Sequence, residues 1–178
     1  MLESLITSKT RVKLLLKFFL NPNTSAYLRG LSTEFGESSN SVRLELNRFE
    51  KAGMLNSQTV GNKKMFQVNK LHSLYDPIRR IVHKSIGLDK IIDYVMRNLG
   101  SLERAYLSGD LAKGKESDII DLVLIGDIDR NYLNEAVEKA QNITKKKIKY
   151  LVYESEEVNS ELFDSEEHLL IWETNETE

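Results

Sequence analysis

The sequence predicts an α+β protein in two unlike parts: a helical N-terminal part that ends in a β-hairpin, and a C-terminal α/β part built on a mixed sheet. Three observations predict it. Ser38 to Val68 reads as a polar-capped helix, a glycine stop and a hairpin. Ile119 to Ile125 is nearly continuous in apolar residues, the pattern of a central strand buried on both faces. Charge also divides along the chain. Residues 1–88 hold 14 Lys and Arg against 6 Asp and Glu, a net of +8, whereas residues 89–178 hold 11 against 21, a net of −10. A basic half joined to an acidic half predicts that the first faces a polyanion and the second does not.

The N-terminal elements follow from periodicity. Thr10 to Leu20 is a predicted helix with Val12, Leu15, Leu16 and Phe19 inward, ended by Asn21-Pro22-Asn23. Tyr27 to Phe35 is a shorter helix carrying Tyr27, Leu28, Leu31 and Phe35, and Gly36-Glu37-Ser38 turns into the next. The cluster Ser38-Ser39-Asn40-Ser41 caps that third helix, whose stripe is Val42, Leu46 and Phe49 and which Ala52-Gly53 stops. Two β segments, Met54 to Val60 and Met65 to Val68, are joined by Gly61-Asn62-Lys63-Lys64, where Gly and Asn tolerate the positive φ of a tight hairpin.

Helix, short helix, tight turn, helix, hairpin is an order that resembles the winged helix-turn-helix superfamily over roughly Leu5 to Asn69. Ser41 to Leu55 looks like its recognition helix and following strand, and Gly61-Asn62-Lys63-Lys64-Met65-Phe66 like its wing. The resemblance implies binding of double-stranded DNA with the helix from Ser39 to Ala52 in the major groove. Asn40, Ser41, Arg43, Leu44 and Asn47 would then face the groove, with Arg43 and Asn47 as base readers. Arg48, Lys51, Lys63 and Lys64 would meet phosphates.

Composition excludes several classes. The 178 residues contain no cysteine, so disulfides and thiolate metal sites are ruled out, which fits a cytoplasmic protein. No apolar run approaches the roughly 20 residues of a membrane span, and Lys17 interrupts the Leu14-Leu15-Leu16 run that could mimic a signal peptide. His72, His83 and His168 have no ligand-like spacing, and no Gly-Lys-Ser/Thr follows Gly109 and Gly114 to make a P-loop.

After the hairpin, two helices, Pro77 to Ser85 and Leu88 to Leu99, read as a connector whose apolar residues could also join two copies in a homodimer. The predicted domains are therefore 1–72, a connector 73–99, and 100–178. In the last, Glu103 to Leu107 and Ile119 to Ile125 are strands. Arg130 to Thr144 is a helix capped by Asp127 or Asp129, with Tyr132, Leu133, Ala136, Val137, Ala140 and Ile143 on one side. Ile148 to Tyr153 is a third strand, Ser155 caps a short helix through Phe163, Glu167 to Trp172 is a last apolar segment with Trp172 as a core anchor, and Glu173 to Glu178 should fray.

The stretch Leu107-Ser108-Gly109-Asp110 … Ser117-Asp118-Ile119-Ile120-Asp121 resembles the signature of small nucleotidyltransferase domains of the DNA polymerase β superfamily, over roughly Gly100 to Phe163. In that family a strand ends in Gly-Ser, and Ser-Asp-hydrophobic-Asp opens the next. Its carboxylates hold the divalent metal ions that bridge phosphates and neutralise developing charge. This chain departs from the pattern. Asp110 stands where the serine would be, Asp118 and Asp121 are three apart rather than two, and the third strand carries Lys149 or Tyr150 where an acid is expected. A bulge at Ile119-Ile120 would realign the aspartates.

The expected function is thus a DNA-binding transcriptional regulator. Its nucleotidyltransferase-like domain is catalytically degenerate, a scaffold, sensor or protein-partner surface with Gly109, Asp110, Asp118 and Asp121 as vestiges and no cofactor. The alternative is an active nucleotidyltransferase that acts on a protein or small molecule, with magnesium and a nucleotide triphosphate, Asp118 and Asp121 being its metal ligands.

Overall fold

The computed structural model describes residues 2–96, 99, 101–158 and 168–174. The chain forms two compact units, Met1–Ser85 and Ile86–Glu178.

The first unit begins with a one-turn helix α1 (Leu2–Leu5) and α2 (Lys9–Leu15), which Ser8 caps by accepting from the Arg11 N–H. The helix expected to run evenly to Leu20 instead widens into a π-helical turn over Leu16–Leu20, and Leu16, Phe18, Phe19 and Leu20 are all buried there. A second departure lies at Ala26–Tyr27. Tyr27, expected to open a helix, instead joins Ala26 in a short strand β1, and helix α3 starts one residue later (Leu28–Phe35). Gly36, at φ +63°, ends α3. Helix α4 (Ser39–Lys51) follows, then strands β2 (Leu55–Val60) and β3 (Lys63–Val68). The three strands form an antiparallel sheet in the order β1-β3-β2, with Tyr27 opposite Met65 and Val60 opposite Lys63. Helix α5 (Tyr75–Ile86) carries Pro77 in its first turn, where a missing N–H costs nothing. The rings of Tyr75 and Phe19 lie 6.1 Å apart.

The second unit opens with α6 (Leu88–Tyr94), shorter than the Leu88–Leu99 helix expected; Arg97 and Asn98 lie outside the described residues. Its sheet is mixed, in the order β6-β5-β4-β7, from β4 (Leu102–Ser108), β5 (Ile119–Gly126), β6 (Lys147–Tyr153) and β7 (Leu169–Glu173). The β5–β6 pair is parallel and the others antiparallel, so β5 is central as its apolar run predicts. The last apolar segment resolves as a strand. A short helix α7 (Gly109–Ala112) occupies the turn between β4 and β5, and α8 (Arg130–Thr144) makes the parallel crossover. Asp129, not Asp127, caps α8, its Oδ1 accepting from the N–H groups of Asn131 and Tyr132 at 2.8 and 3.2 Å.

Two expectations are corrected here. Leu133, Ala136, Val137 and Ala140 of α8 are buried, but Tyr132 and Ile143, at the margins of the stripe, are 43% and 42% exposed. Beyond β6, Glu154 rather than Ser155 caps, in a reciprocal box with Glu157 over the 3₁₀ turn Ser155–Glu157. The helix expected to continue to Phe163 falls outside the described residues. No helix among the described residues is long and apolar enough to cross a membrane.

Candidate functional site

In the first unit the site is built on α4. Ser38 caps it, accepting from the Ser41 N–H at 3.1 Å, and Val42, Leu46 and Phe49 bury its inner stripe. At the far end Met54 N–H bonds Phe49 C=O and Gly53 N–H bonds Glu50 C=O, a Schellman closure that requires Gly53 at φ +74°.

An acid within the inner face fixes the rotation of the helix. Glu45 is 4% exposed. It accepts from Arg11 Nε and Nη2 at 2.9 and 3.3 Å, from Arg48 Nη1 at 2.9 Å and from the Ser8 hydroxyl at 3.1 Å. Burial pushes the Glu45 carboxyl up. The hydrogen bonds from Arg11 and Ser8 and the charges of Arg11 and Arg48 outweigh this, so its pKa lies below the ordinary glutamate value. A buried carboxylate is stable only with such partners, and they tie α4 to α2.

The outward face of α4 carries Asn40, Arg43, Leu44, Asn47, Arg48 and Lys51, all exposed. Arg43 donates to Asn40 Oδ1 at 3.0 Å, so its fork is held at the helix start. Ser41, expected on this face, is half-buried, and its hydroxyl shares a 2.8 Å hydrogen bond with that of Thr10 on α2.

The hairpin differs from its expected form. Strand pairing runs on to Val60–Lys63, which leaves a two-residue turn, Gly61-Asn62, in which Gly61 alone adopts positive φ, at +60°. Lys63 and Lys64 therefore belong to β3, and alternation sends them to opposite faces. Lys63 Nζ sits 4.3 Å above the Tyr27 ring. Lys64 Nζ lies 5.1 Å from the Phe66 ring and 2.8 Å from Glu50 Oε2. The Lys64 bond, with a 2.5 Å hydrogen bond from the Ser57 hydroxyl, holds the Glu50 carboxyl below its usual range.

In the second unit β4 ends at Ser108, and Gly109 opens α7 at φ +66°. A Cβ on Gly109 would stand 2.6 Å from Asp121 Oδ2, so the glycine is required both by its backbone angle and by the aspartate against it. Asp121 lies opposite Ser108 on β4 and Lys149 on β6, which places all three on one face. Asp118 precedes β5 and is fully exposed, 3.7 Å from Lys146 Nζ. The parallel ladder runs Ile119–Lys147, Ile120–Ile148, Asp121–Lys149 without a skipped residue. No bulge intervenes at Ile119-Ile120, so nothing in the strand shifts Asp121 into line with Asp118, which stands before its first residue. Lys149, not Tyr150, shares the face of Asp121. Asp110 is exposed in the first turn of α7. Among the described residues no group of three or more His, Asp or Glu side chains converges as a metal site. Among the described residues, Lys149 rather than a carboxylate stands beside Asp121 on the neighbouring strand.

His72 has a structural part, its ring nitrogens within hydrogen-bond distance of Ala52 C=O and Leu74 N–H. Sequence reasoning missed the Glu45 network and the contact between Lys63 and the Tyr27 ring. A signal for the first was present, since Glu45 sits one residue before Leu46 of the buried stripe, and an acid there needs cations.

No protein-family model and no curated protein matches the sequence. Among solved structures, a mutant of the toxin-antitoxin MntA-HpeT is similar at 18% identity and a TM-score of 0.38, covering 49% of this chain and 73% of that one. A toxin-antitoxin with AMP-PNP is similar at 18% identity and 0.37 over the same shares. The tri-AMPylated Shewanella oneidensis HEPN toxin in complex with MNT antitoxin is similar at 17% identity and 0.36, covering 51% and 73%.

Proposed function

We propose that the chain is a DNA-binding regulator whose first unit is a winged helix and whose second is a nucleotidyltransferase-like domain that has lost its metal site. The observation that carries the reading is α4. It is capped at both ends, locked to α2 through Glu45, and presents Asn40, Arg43, Leu44, Asn47, Arg48 and Lys51 outward beside a hairpin bearing Lys63 and Lys64. Rigid polar helices of this width enter the major groove, and lysines on a flanking hairpin meet the backbone. The net +8 of residues 1–88 supplies the field that a polyanion needs. The ladder through Ile119, Ile120 and Asp121, with Lys149 beside Asp121, supports the second half of the reading.

The test is titration of the full chain with duplex DNA by fluorescence anisotropy at several salt concentrations. The reading expects affinity to fall linearly, log against log, as salt rises. Binding that ignores salt, or no binding at low salt, overturns it.

A further inference from the structure

We propose that Leu44 reads the 5-methyl group of a thymine at the floor of the major groove, so that the site this chain recognises contains a thymine whose replacement by an unmethylated pyrimidine weakens binding. The inference rests on the DNA-binding reading above and deepens it.

Its starting point is the geometry of α4. At 3.6 residues per turn, Leu44 points about 160° away from both Val42 and Leu46, the two fully buried residues of the inner stripe. It is therefore at the apex of the outward face. Asn40 and Arg48 lie about 40° to either side of it, one turn before and one after, and Lys51 lies nearly beneath it two turns on. Leu44 is 53% exposed, while the other large apolar residues of the helix are buried.

The polar neighbours on this face already have company in the protein. Arg43 is bonded to Asn40, and Arg48 to Glu45. Between them, at the centre of this face, stands an aliphatic side chain with no hydrogen-bonding group. In the major groove every base edge offers hydrogen-bond acceptors or donors, and only thymine adds an apolar group, its C5-methyl. An aliphatic residue at the apex of a groove-entering helix finds a complementary contact there and nowhere else on the groove floor. Against G, C or A it would strip water from a polar edge without replacing the bond.

The experiment begins with the full-length chain and a randomised pool of duplex DNA, from which the bound fraction is selected and sequenced. Each thymine of the selected duplex is then replaced singly by deoxyuridine, which removes the methyl and leaves the base pair intact. At one position the replacement is expected to weaken wild-type binding about fourfold, the effect of one buried methyl. Leu44→Ala, whose shorter side chain keeps one methyl, should narrow the difference between the thymine and deoxyuridine duplexes. Because Leu44 is exposed, this variant should keep the wild-type unfolding temperature, which far-UV circular dichroism checks.

Equal binding of both duplexes by wild type at every thymine overturns the inference while leaving salt-dependent DNA binding in place. So does a Leu44→Ala chain that distinguishes them as strongly as wild type. A pool from which nothing is retained in a salt-dependent way overturns the DNA-binding reading, and the inference falls with it.

Discussion

Replacing Glu45 by glutamine tests the lock that orients α4. The substitution keeps the shape of the side chain and removes its charge, so four charge-assisted or hydroxyl hydrogen bonds, from Arg11 twice, Arg48 and Ser8, lose their anionic acceptor. A hydrogen bond to a buried charged group contributes about 1.5–3 kcal/mol. Both guanidiniums are, however, open to water, with side chains 38% and 55% exposed, and solvent screens much of that. We therefore expect Glu45→Gln to cost about 1–2 kcal/mol for the whole network. For a unit of this size each kcal/mol lowers the melting temperature by roughly 4–8 °C.

The single tryptophan, Trp172, lies in the second unit and its fluorescence reports on that unit, whereas far-UV circular dichroism sees both. The loss should appear in the dichroism transition. The pH dependence has a definite sign. The folded-state pKa of Glu45 is lowered, so the stability it contributes is present above the unfolded glutamate value and is lost as pH falls through the lower, folded value. Wild type and Glu45→Gln should differ at neutral pH and converge in acid. Equal stability at neutral pH, or a gap that persists undiminished into acid, would refute the reasoning.

Two further outcomes follow from the same geometry. Substituting alanine for Lys63 and Lys64 together should reduce the slope of log affinity against log salt by up to about 2 units, measured on any bound duplex. Since the two lysines leave opposite faces of β3, a reduction of about 1 would mean that one of them alone meets phosphate, and an unchanged slope would remove the hairpin from the interface. Gly109→Ala should destabilise the second unit by about 1–3 kcal/mol, read from the Trp172 transition, because it forces a side chain into positive φ and against Asp121; a neutral effect would show that the turn relaxes freely.

Most of α4 was legible because three signals coincide there: serine capping, a clean Val42, Leu46, Phe49 stripe, and a glycine stop. The central strand β5 was legible because seven consecutive positions from Ile119 are almost all apolar. What escaped notice depends on partners distant in the chain. β1 is two residues long and exists only because β3 pairs with it, so no periodicity could announce it. Ser41 looks like a groove residue until Thr10 is found beside it. Lys63 and Lys64 read as loop residues because lysines are ordinary in turns, yet the two-residue turn that Gly61 permits draws both into the ladder. The spacing of Asp118 and Asp121 was visible, but whether a bulge cancelled it was a question of register, which the pairing with Lys147 to Lys149 answers.

The proposal that this unit has lost its metal site rests on that register, and it can be tested by changing the register. Deleting Ile119 would leave Ser117-Asp118-Ile120-Asp121, with two aspartates two apart and so on one face of β5. Asp118 would take the ladder position opposite Lys147 that Ile119 now fills. Lys149→Asp would then replace the cation beside Asp121 with a third carboxylate on the neighbouring strand. Both changes avoid the most deeply buried residues, since Ile119 is only half-buried and Lys149 is exposed, and the Trp172 transition reports whether the unit still folds. We expect wild type to show no saturable uptake of manganese by calorimetry at millimolar metal, with or without ATP, and the doubly altered chain to show it. Saturable binding by wild type that Asp121→Asn abolishes would mean that the metal site is intact. A folded double variant that takes up no metal would mean that strand phase is not what keeps the ion out. The first outcome overturns the degenerate reading, and the second overturns the geometric account of it.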